Sequence, residues 1–243
     1  MPEMVGVGSG QRRLINPLLV YKEETGFETW EVGELGELVS FKHEIEEFIN
    51  NEKDKNLIKS AAVYFRDLNN GPWFGIDENE EFYPGSLLKI PTLIGYLKRA
   101  ESSPQILKEK IKFTGDGFTE SYNIKPSREI EIGKSYTIEE LIYRMIVYSD
   151  NKAARQLFDL DNGVSFFKVF KDLLPHYKFK SERVTIQIDD YASFFKILYN
   201  ASYLNKDMSN IALNWLKEVD FKKGMVAGIP LNVVVAHKFG ERG

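Results

Sequence analysis

The stretch Tyr83-Pro84-Gly85-Ser86-Leu87-Leu88-Lys89 decides how the rest of the chain is read. A chain-reversing Pro-Gly pair is followed by the opening of an apolar helix, with a serine at its mouth and a lysine one turn on. Side chains three apart on a helix share a face, so Lys89 can reach the hydroxyl of Ser86. A serine hydroxyl is a weak nucleophile until a neighbouring base takes its proton. A lysine whose pKa is lowered by burial or by a second cation can be that base. The tetrad alone is a weak signal, because Ser-x-x-Lys recurs at Ser165 to Lys168 and at Ser193 to Lys196. Both of those copies sit in amphipathic helical patterns, where Phe166, Phe167, Phe194 and Phe195 read as core and the serine and lysine as a solvated face.

Composition narrows the classes of function. The 243 residues allow one or two domains, and 43% hydrophobic with 28% charged residues is the usual balance of a globular chain with a real core. A formal charge of -4 with no lysine/arginine block argues against a nucleic-acid partner. The absence of cysteine excludes disulfides and thiolate metal sites. His43, His176 and His237 show no metal-ligand spacing, and no His-Glu-x-x-His occurs, so neither metal nor organic cofactor is called for. No segment approaches the roughly 20 apolar residues of a membrane span. The N-terminus also lacks the basic region and apolar core of a signal peptide. Residues 1–37, broken by glycines at 6, 8, 10, 26, 33 and 36, read as a weakly structured extension, and residues 38–243 as one domain, expected as a monomer.

Along that domain, Phe41, Ile45, Phe48 and Ile49 predict an amphipathic helix. Lys59 to Leu68 reads as a strand, Asn69-Asn70-Gly71 as a hairpin turn and Trp73 to Ile76 as the return strand. The Ser86 helix runs to Ala100, apolar nearly all round, and so belongs at the centre of the core. Gln105 to Ile111 reads as a short helix within a long polar stretch. Thr137 and Glu140 form a capping box for a helix that ends at Tyr148-Ser149-Asp150-Asn151, where another begins at once. Three further helices follow, over 163–174, Asp189 to Asn200 and Asp207 to Val219. Val233 to Ala236 reads as a last strand running into His237-Lys238-Phe239-Gly240. The expected fold class is α+β: an antiparallel sheet with strands from both chain ends, packed against a large helical block.

Ser86-x-x-Lys89, Ser149-Asp150-Asn151 and Lys238-Phe239-Gly240 together supply the parts of an acyl-transfer site. Ser86 attacks a carbonyl and Lys89 accepts or relays its proton. Ser149, in a break between helices, can pass a proton to a leaving nitrogen. The Asn151 amide can hold both the substrate and the Lys89 ammonium. Lys238 offers a cation to a substrate carboxylate, and Gly240 lets a substrate backbone lie close. The backbone N–H groups of Ser86 and Glu241 can form an oxyanion hole, whose donors are worth roughly 3 kcal/mol each where one has been removed from another hydrolase. The bland readings are a solvated Lys238 and a Ser149-Asp150-Asn151 cluster that merely caps helices, and capping can coexist with catalysis.

These three motifs in this order resemble those of the penicillin-recognising serine hydrolases: class A β-lactamases and the D-alanyl-D-alanine transpeptidases and carboxypeptidases. The resemblance covers roughly residues 38–243. It implies a β-lactamase/transpeptidase-like fold, β-lactam or peptidoglycan stem-peptide substrates and an extracytoplasmic location. Four features depart from the family pattern. Phe239 stands where a threonine or serine is usual, which removes a hydroxyl that helps bind the substrate carboxylate. No Glu-x-x-Leu-Asn occurs to activate a deacylating water, and the region Leu160 to Ile188 looks shortened, with Asp172 and Glu182 as the only stand-ins. The sequence stops at Gly243, where the family continues with two more strands and a helix. The lysine strand is therefore expected as an unpaired edge of a fragment. No export signal accompanies the implied location. Two functions follow. One is a serine hydrolase that acylates at Ser86 and deacylates slowly, with an esterase close by. The other is a catalytically silent cell-wall binding module.

Overall fold

A computed structural model describes residues 36–69, 71–115, 124–179 and 184–241. The expectation for residues 1–35, the middle of the hairpin turn at Asn70 and the stand-in Glu182 lie outside the described residues. The first helix, α1, spans Gly36–Asp54. It packs on the hairpin of β1 (Val63–Arg66) and β2 (Trp73–Ile76), which pair antiparallel from Val63↔Ile76 to Arg66↔Trp73. Phe41 meets Phe65 and Phe74 edge-on, and Ile49, Phe74 and Ile76 close a small core of their own. The strand expected from Lys59 to Leu68 keeps only its central four residues. Beyond them Asp67 N bonds Pro72 O across the turn, and Lys59 and Ser60 are exposed.

The larger core is built around α2 (Lys89–Ser102). Ile90, Leu93, Ile94, Leu97 and Ala100 are wholly buried, as an apolar-all-round helix must be. Pro91 falls in its first turn, where the missing N–H is harmless. Around it pack α3 (Ile138–Val147), α4 (Asn151–Leu160), α5 (Val164–Leu173), α6 (Ile188–Asn200) and α7 (Lys206–Lys217). The capping box of α3 is formed: Glu140 N donates to Thr137 Oγ1 at 3.1 Å and Thr137 N to Glu140 Oε2 at 2.8 Å. The helix expected from Gln105 to Ile111 is a 3-10 turn over Pro104–Lys108. The chain then enters a ladder of β4 (Lys110–Lys112) with β5 (Ser135–Thr137). A third ladder joins β3 (Glu81–Phe82) to β6 (Ile186–Gln187).

The fold is α+β, as expected, but its strands form three separate two-stranded ladders among the described residues. Val233 to Ala236 is not a ladder strand. Its residues have strand propensity, but propensity of this kind is realised only against a partner. β1 and β2 pair only with each other here. Leu231, Val233 and Val234 are accordingly exposed. The segment returns to the body of the protein at His237, whose backbone N bonds Leu216 O near the end of α7 at 3.1 Å. From there it runs into the cleft between the Ser86 turn and the start of α4.

Candidate active site

Ser86 sits on a 3-10 turn, Gly85–Leu88, that leads directly into α2. The sequence predicts one continuous helix here, and the difference matters. Side chains three apart nearly eclipse on a 3-10 turn, whereas they are offset on an α-helix. Lys89 therefore comes straight over Ser86, and its Nζ lies 3.1 Å from Ser86 Oγ. The turn is held from below by Tyr191 of α6, whose phenol donates to Leu87 O at 3.1 Å. Gly85 has φ of +52°, and a Cβ there would collide with the carbonyl of Glu241. A Cβ on Gly240 would collide with Pro84 O. Both glycines are thus required by one close approach, which lays the 238–241 segment along the serine turn. It also sets the main chain of Glu241 beside that of Ser86.

Lys89 is buried, 6% exposed, while Ser86 is partly open to the cleft. Besides Ser86 Oγ, Lys89 Nζ donates to Ser149 O and Asn151 Oδ1, each at 2.6 Å, and to Ser149 Oγ at 3.0 Å. Lys238 Nζ reaches the same Ser149 Oγ at 2.8 Å. Ser149 is held with φ of +56°, a left-handed conformation rare for a side chain other than glycine or asparagine. That strain directs its carbonyl and its hydroxyl to one ammonium. Burial, and then the charge of Lys89, push the pKa of Lys238 well below the usual lysine value, against a smaller pull from Asp220. Lys238 Nζ also bonds Phe239 O at 3.0 Å and stands 4.2 Å from the centre of the Phe239 ring.

Asp150 is the site residue whose weight the sequence does not reveal. Its carboxylate is fully buried. One oxygen accepts Ala153 N at 3.1 Å and so caps α4, and the other accepts Ile130 N at 2.7 Å and so ties down the segment that precedes β5. Burial raises its pKa, and those two N–H groups pull it back. The capping tendency of an aspartate here is readable in sequence; the second bond, across 20 residues, is not. Tyr191 and Phe221 carry no local signal either. Phe221 stacks on Phe239 with ring centres 4.0 Å apart.

The structure thus brings Ser86, Lys89, Ser149, Asn151 and Lys238 into one hydrogen-bonded cluster, with Gly240 and Glu241 against the serine turn. Asp172 does not join it: its carboxylate bonds Lys168 and Tyr203 on the outer side of α5. The other Ser-x-x-Lys tetrads do not make such a pair. Ser165 Oγ bonds Asp161 while Lys168 bonds Asp172, and Ser193 Oγ donates to Asp190 O.

No curated protein matches the chain significantly. Among solved structures, a mutant of PBP-A in acyl-enzyme complex with penicillin G superposes with a TM-score of 0.69 at 17% identity, over 84% of this chain and 78% of that one. A β-lactamase from Chitinophaga pinensis DSM 2588 gives 0.66 at 21% identity, over 80% of this chain and 77% of that one. A class A β-lactamase from Mycobacterium abscessus gives 0.64 at 22% identity, over 74% and 73%. These likenesses establish a β-lactamase/transpeptidase-like fold. Residues 41–243 match the model of the β-lactamase enzyme family, and the chain belongs to that family.

Proposed function

We propose that this chain is a serine hydrolase in which Ser86 forms an acyl-enzyme with a β-lactam or with a D-alanyl-D-alanine-like amide such as a peptidoglycan stem peptide. The supporting observation is the setting of Lys89 Nζ, between Ser86 Oγ at 3.1 Å and Ser149 Oγ at 3.0 Å, with Ser149 O and Asn151 Oδ1 each at 2.6 Å. The last two atoms can only accept, so they take two of the amine's N–H groups. The remaining position, a proton in the ammonium and a lone pair in the amine, is turned toward the two hydroxyls.

A neutral Lys89 held in this way takes the Ser86 proton as Oγ attacks the carbonyl carbon and the C=O electron pair moves to oxygen. The N–H groups of Ser86 and Glu241 hold that oxyanion. As the C–N bond breaks, Ser149 Oγ gives its proton to the leaving nitrogen and regains one from the Lys89 ammonium. An ester on Ser86 and a freed amine remain. Lys238, on the far side of Ser149, is the partner for a carboxylate on the leaving fragment. With no Glu-x-x-Leu-Asn in the sequence and Asp172 committed to Lys168 and Tyr203, the ester is expected to hydrolyse slowly, which is the behaviour of a penicillin-binding protein or peptidase rather than of an efficient β-lactamase. Substrates of this kind place the protein's work outside the cytoplasmic membrane, and among the described residues no helix is long and apolar enough to cross one.

Intact-protein mass after mixing with a penicillin tests this reading. The wild type gains one drug mass that persists for hours, and Ser86→Ala gains none. An adduct that survives in Ser86→Ala overturns the assignment. Unlabelled wild type with the drug still intact points instead to the silent module, for which Phe239 is the motivating departure and reversible binding of peptidoglycan fragments the expected behaviour.

A further inference from the structure

The geometry points to a slot on the leaving-group side of the scissile bond that takes a flat apolar group, walled by Phe239, Phe221, Tyr148, Ile124 and Pro126. This rests on the acyl-transfer reading and adds to it a class of substrate. Direction comes from the cluster itself. Lys89 joins Ser86 to Ser149, and Ser149 joins Lys89 to Lys238. A substrate bonded to Ser86 and protonated from Ser149 therefore extends its leaving fragment toward Lys238 and its neighbour Phe239.

At that end lies a cavity of about 170 Å³ lined by those five residues together with Lys125, Ser127 and Asp220. That volume is enough for one benzene-sized ring, about 150 Å³ sufficing in a closed apolar cavity, and this cavity opens to solvent. Part of the polar lining is partnered without a ligand: Ser127 Oγ bonds Asp220 Oδ2. The lining is mixed: the rings and aliphatic groups of Phe239, Phe221, Tyr148, Ile124 and Pro126 face a polar share of comparable extent, with Lys125 exposed at the rim. Ile124 presents 39% of its surface to solvent, so an incoming apolar group would cover it.

The walls are also held in place before any ligand arrives. Phe239 stacks on Phe221 at 4.0 Å with the planes 27° apart, and the Lys238 ammonium stands over the Phe239 ring. Tyr148 is pinned by the Arg128 guanidinium at 5.4 Å and meets Tyr143 edge-on at 5.9 Å. Rigid walls lower the ordering cost of binding. A threonine or serine at position 239 would offer the leaving fragment a hydrogen-bonding hydroxyl. Phe239 offers none, so recognition there shifts from hydrogen bonding to apolar contact.

The test compares the 2-phenylethyl and propyl esters of N-acetyl-D-alanine, whose leaving alcohols are of similar intrinsic reactivity. Wild type is expected to prefer the phenylethyl ester by about tenfold or more in kcat/KM, the scale on which apolar pockets discriminate, and mainly through KM. Phe239→Thr and, independently, the exposed-wall variant Ile124→Asn should each bring the two esters close to parity. Ser86→Ala should turn over neither. Equal kcat/KM in wild type, with turnover still dependent on Ser86, overturns the slot and leaves the acyl-transfer reading standing. So does a preference that survives in both wall variants. Failure to release even one equivalent of alcohol per enzyme, or release that persists in Ser86→Ala, overturns the acyl-transfer reading and the slot with it.

Discussion

Ser86 and Ser165 each stand three residues before a lysine, and the two tetrads are treated very differently by the fold. At the first, hydroxyl and ammonium meet at 3.1 Å inside a cleft. At the second, Ser165 lies within α5, 2% exposed, and its hydroxyl bonds Asp161 and receives Arg99 Nη1. Lys168 turns outward to Asp172, four residues on. Local geometry makes the difference. A 3-10 turn eclipses positions three apart, whereas an α-helix offers the fourth position equally well, and an acid placed there captures the lysine. Long-range geometry then completes it, because only the first tetrad faces a strained serine and a second lysine from elsewhere in the chain.

The largest expected contrast follows directly. Ser86→Ala should abolish covalent labelling by a penicillin with little loss of stability. Ser165→Ala should leave labelling intact and cost about 1 kcal/mol of stability, because it removes a buried hydroxyl bonded to the partly exposed Asp161 and Arg99. Intact mass and urea unfolding of the two variants measure both halves, and labelling that depends on Ser165 would reverse the comparison. The lysines come next. Lys89→Met should slow acylation by about 10²–10⁴, the range for losing a positioned proton acceptor. Lys168→Met, on an exposed helix face, should leave the acylation rate unchanged and stability within about 0.5 kcal/mol.

Much of this was legible in the sequence, and what was not has identifiable physical causes. The buried character of α2, the capping box at Thr137 and the β1–β2 hairpin rest on signals only a few residues long, and each is formed. The three motifs could be named because each carries its own chemistry at fixed spacing. Val233 to Ala236 could not be placed, because a β-branched run states a propensity while a ladder needs a partner that no local pattern supplies. The left-handed conformation of Ser149 is equally silent, since serine is not a residue that announces positive φ. The bond from Ile130 to Asp150 and the stack of Phe221 on Phe239 join residues 20 and 18 apart, so no helical or strand period reports them.

A smaller effect separates two helix caps and refines the contrast between local and long-range roles. Thr137 caps α3 at its surface, and Thr137→Ala should cost about 1 kcal/mol without touching acylation. Asp150 caps α4 from a fully buried position and also receives Ile130 N. Asp150→Ala should cost about 2–4 kcal/mol, the cap plus a buried N–H left without its partner. It should also slow acylation, since Ser149 and Asn151 flank it in the chain. Thermal melts and labelling rates of the two variants decide the matter, and equal behaviour would mean that Asp150 is only a cap.

The subtlest expected effect is one of pH, and it bears on Lys238. Burial and the charge of Lys89 favour its neutral form, and Asp220 opposes them only in part. Because the folded pKa lies below the unfolded value, the unfolded chain holds more protons in the window between the two. This group therefore lets stability rise with pH across that window. Function runs the other way. The ammonium that would meet a substrate carboxylate is lost as pH rises through the lowered pKa, at a lower pH than an ordinary lysine would require. Proton transfer through Lys89 and Ser149 is common to every substrate, so the raw acylation rate mixes it with the contribution of Lys238. The ratio of acylation rates for a penicillin and its methyl ester isolates Lys238, since only the first carries the carboxylate. That ratio should fall as the medium becomes alkaline. In Lys238→Arg, whose guanidinium keeps its charge, it should stay level. A flat ratio in the wild type would mean that Lys238 serves Ser149 and the Phe239 ring rather than the substrate. The leaving-side cleft would then depend on apolar contact alone.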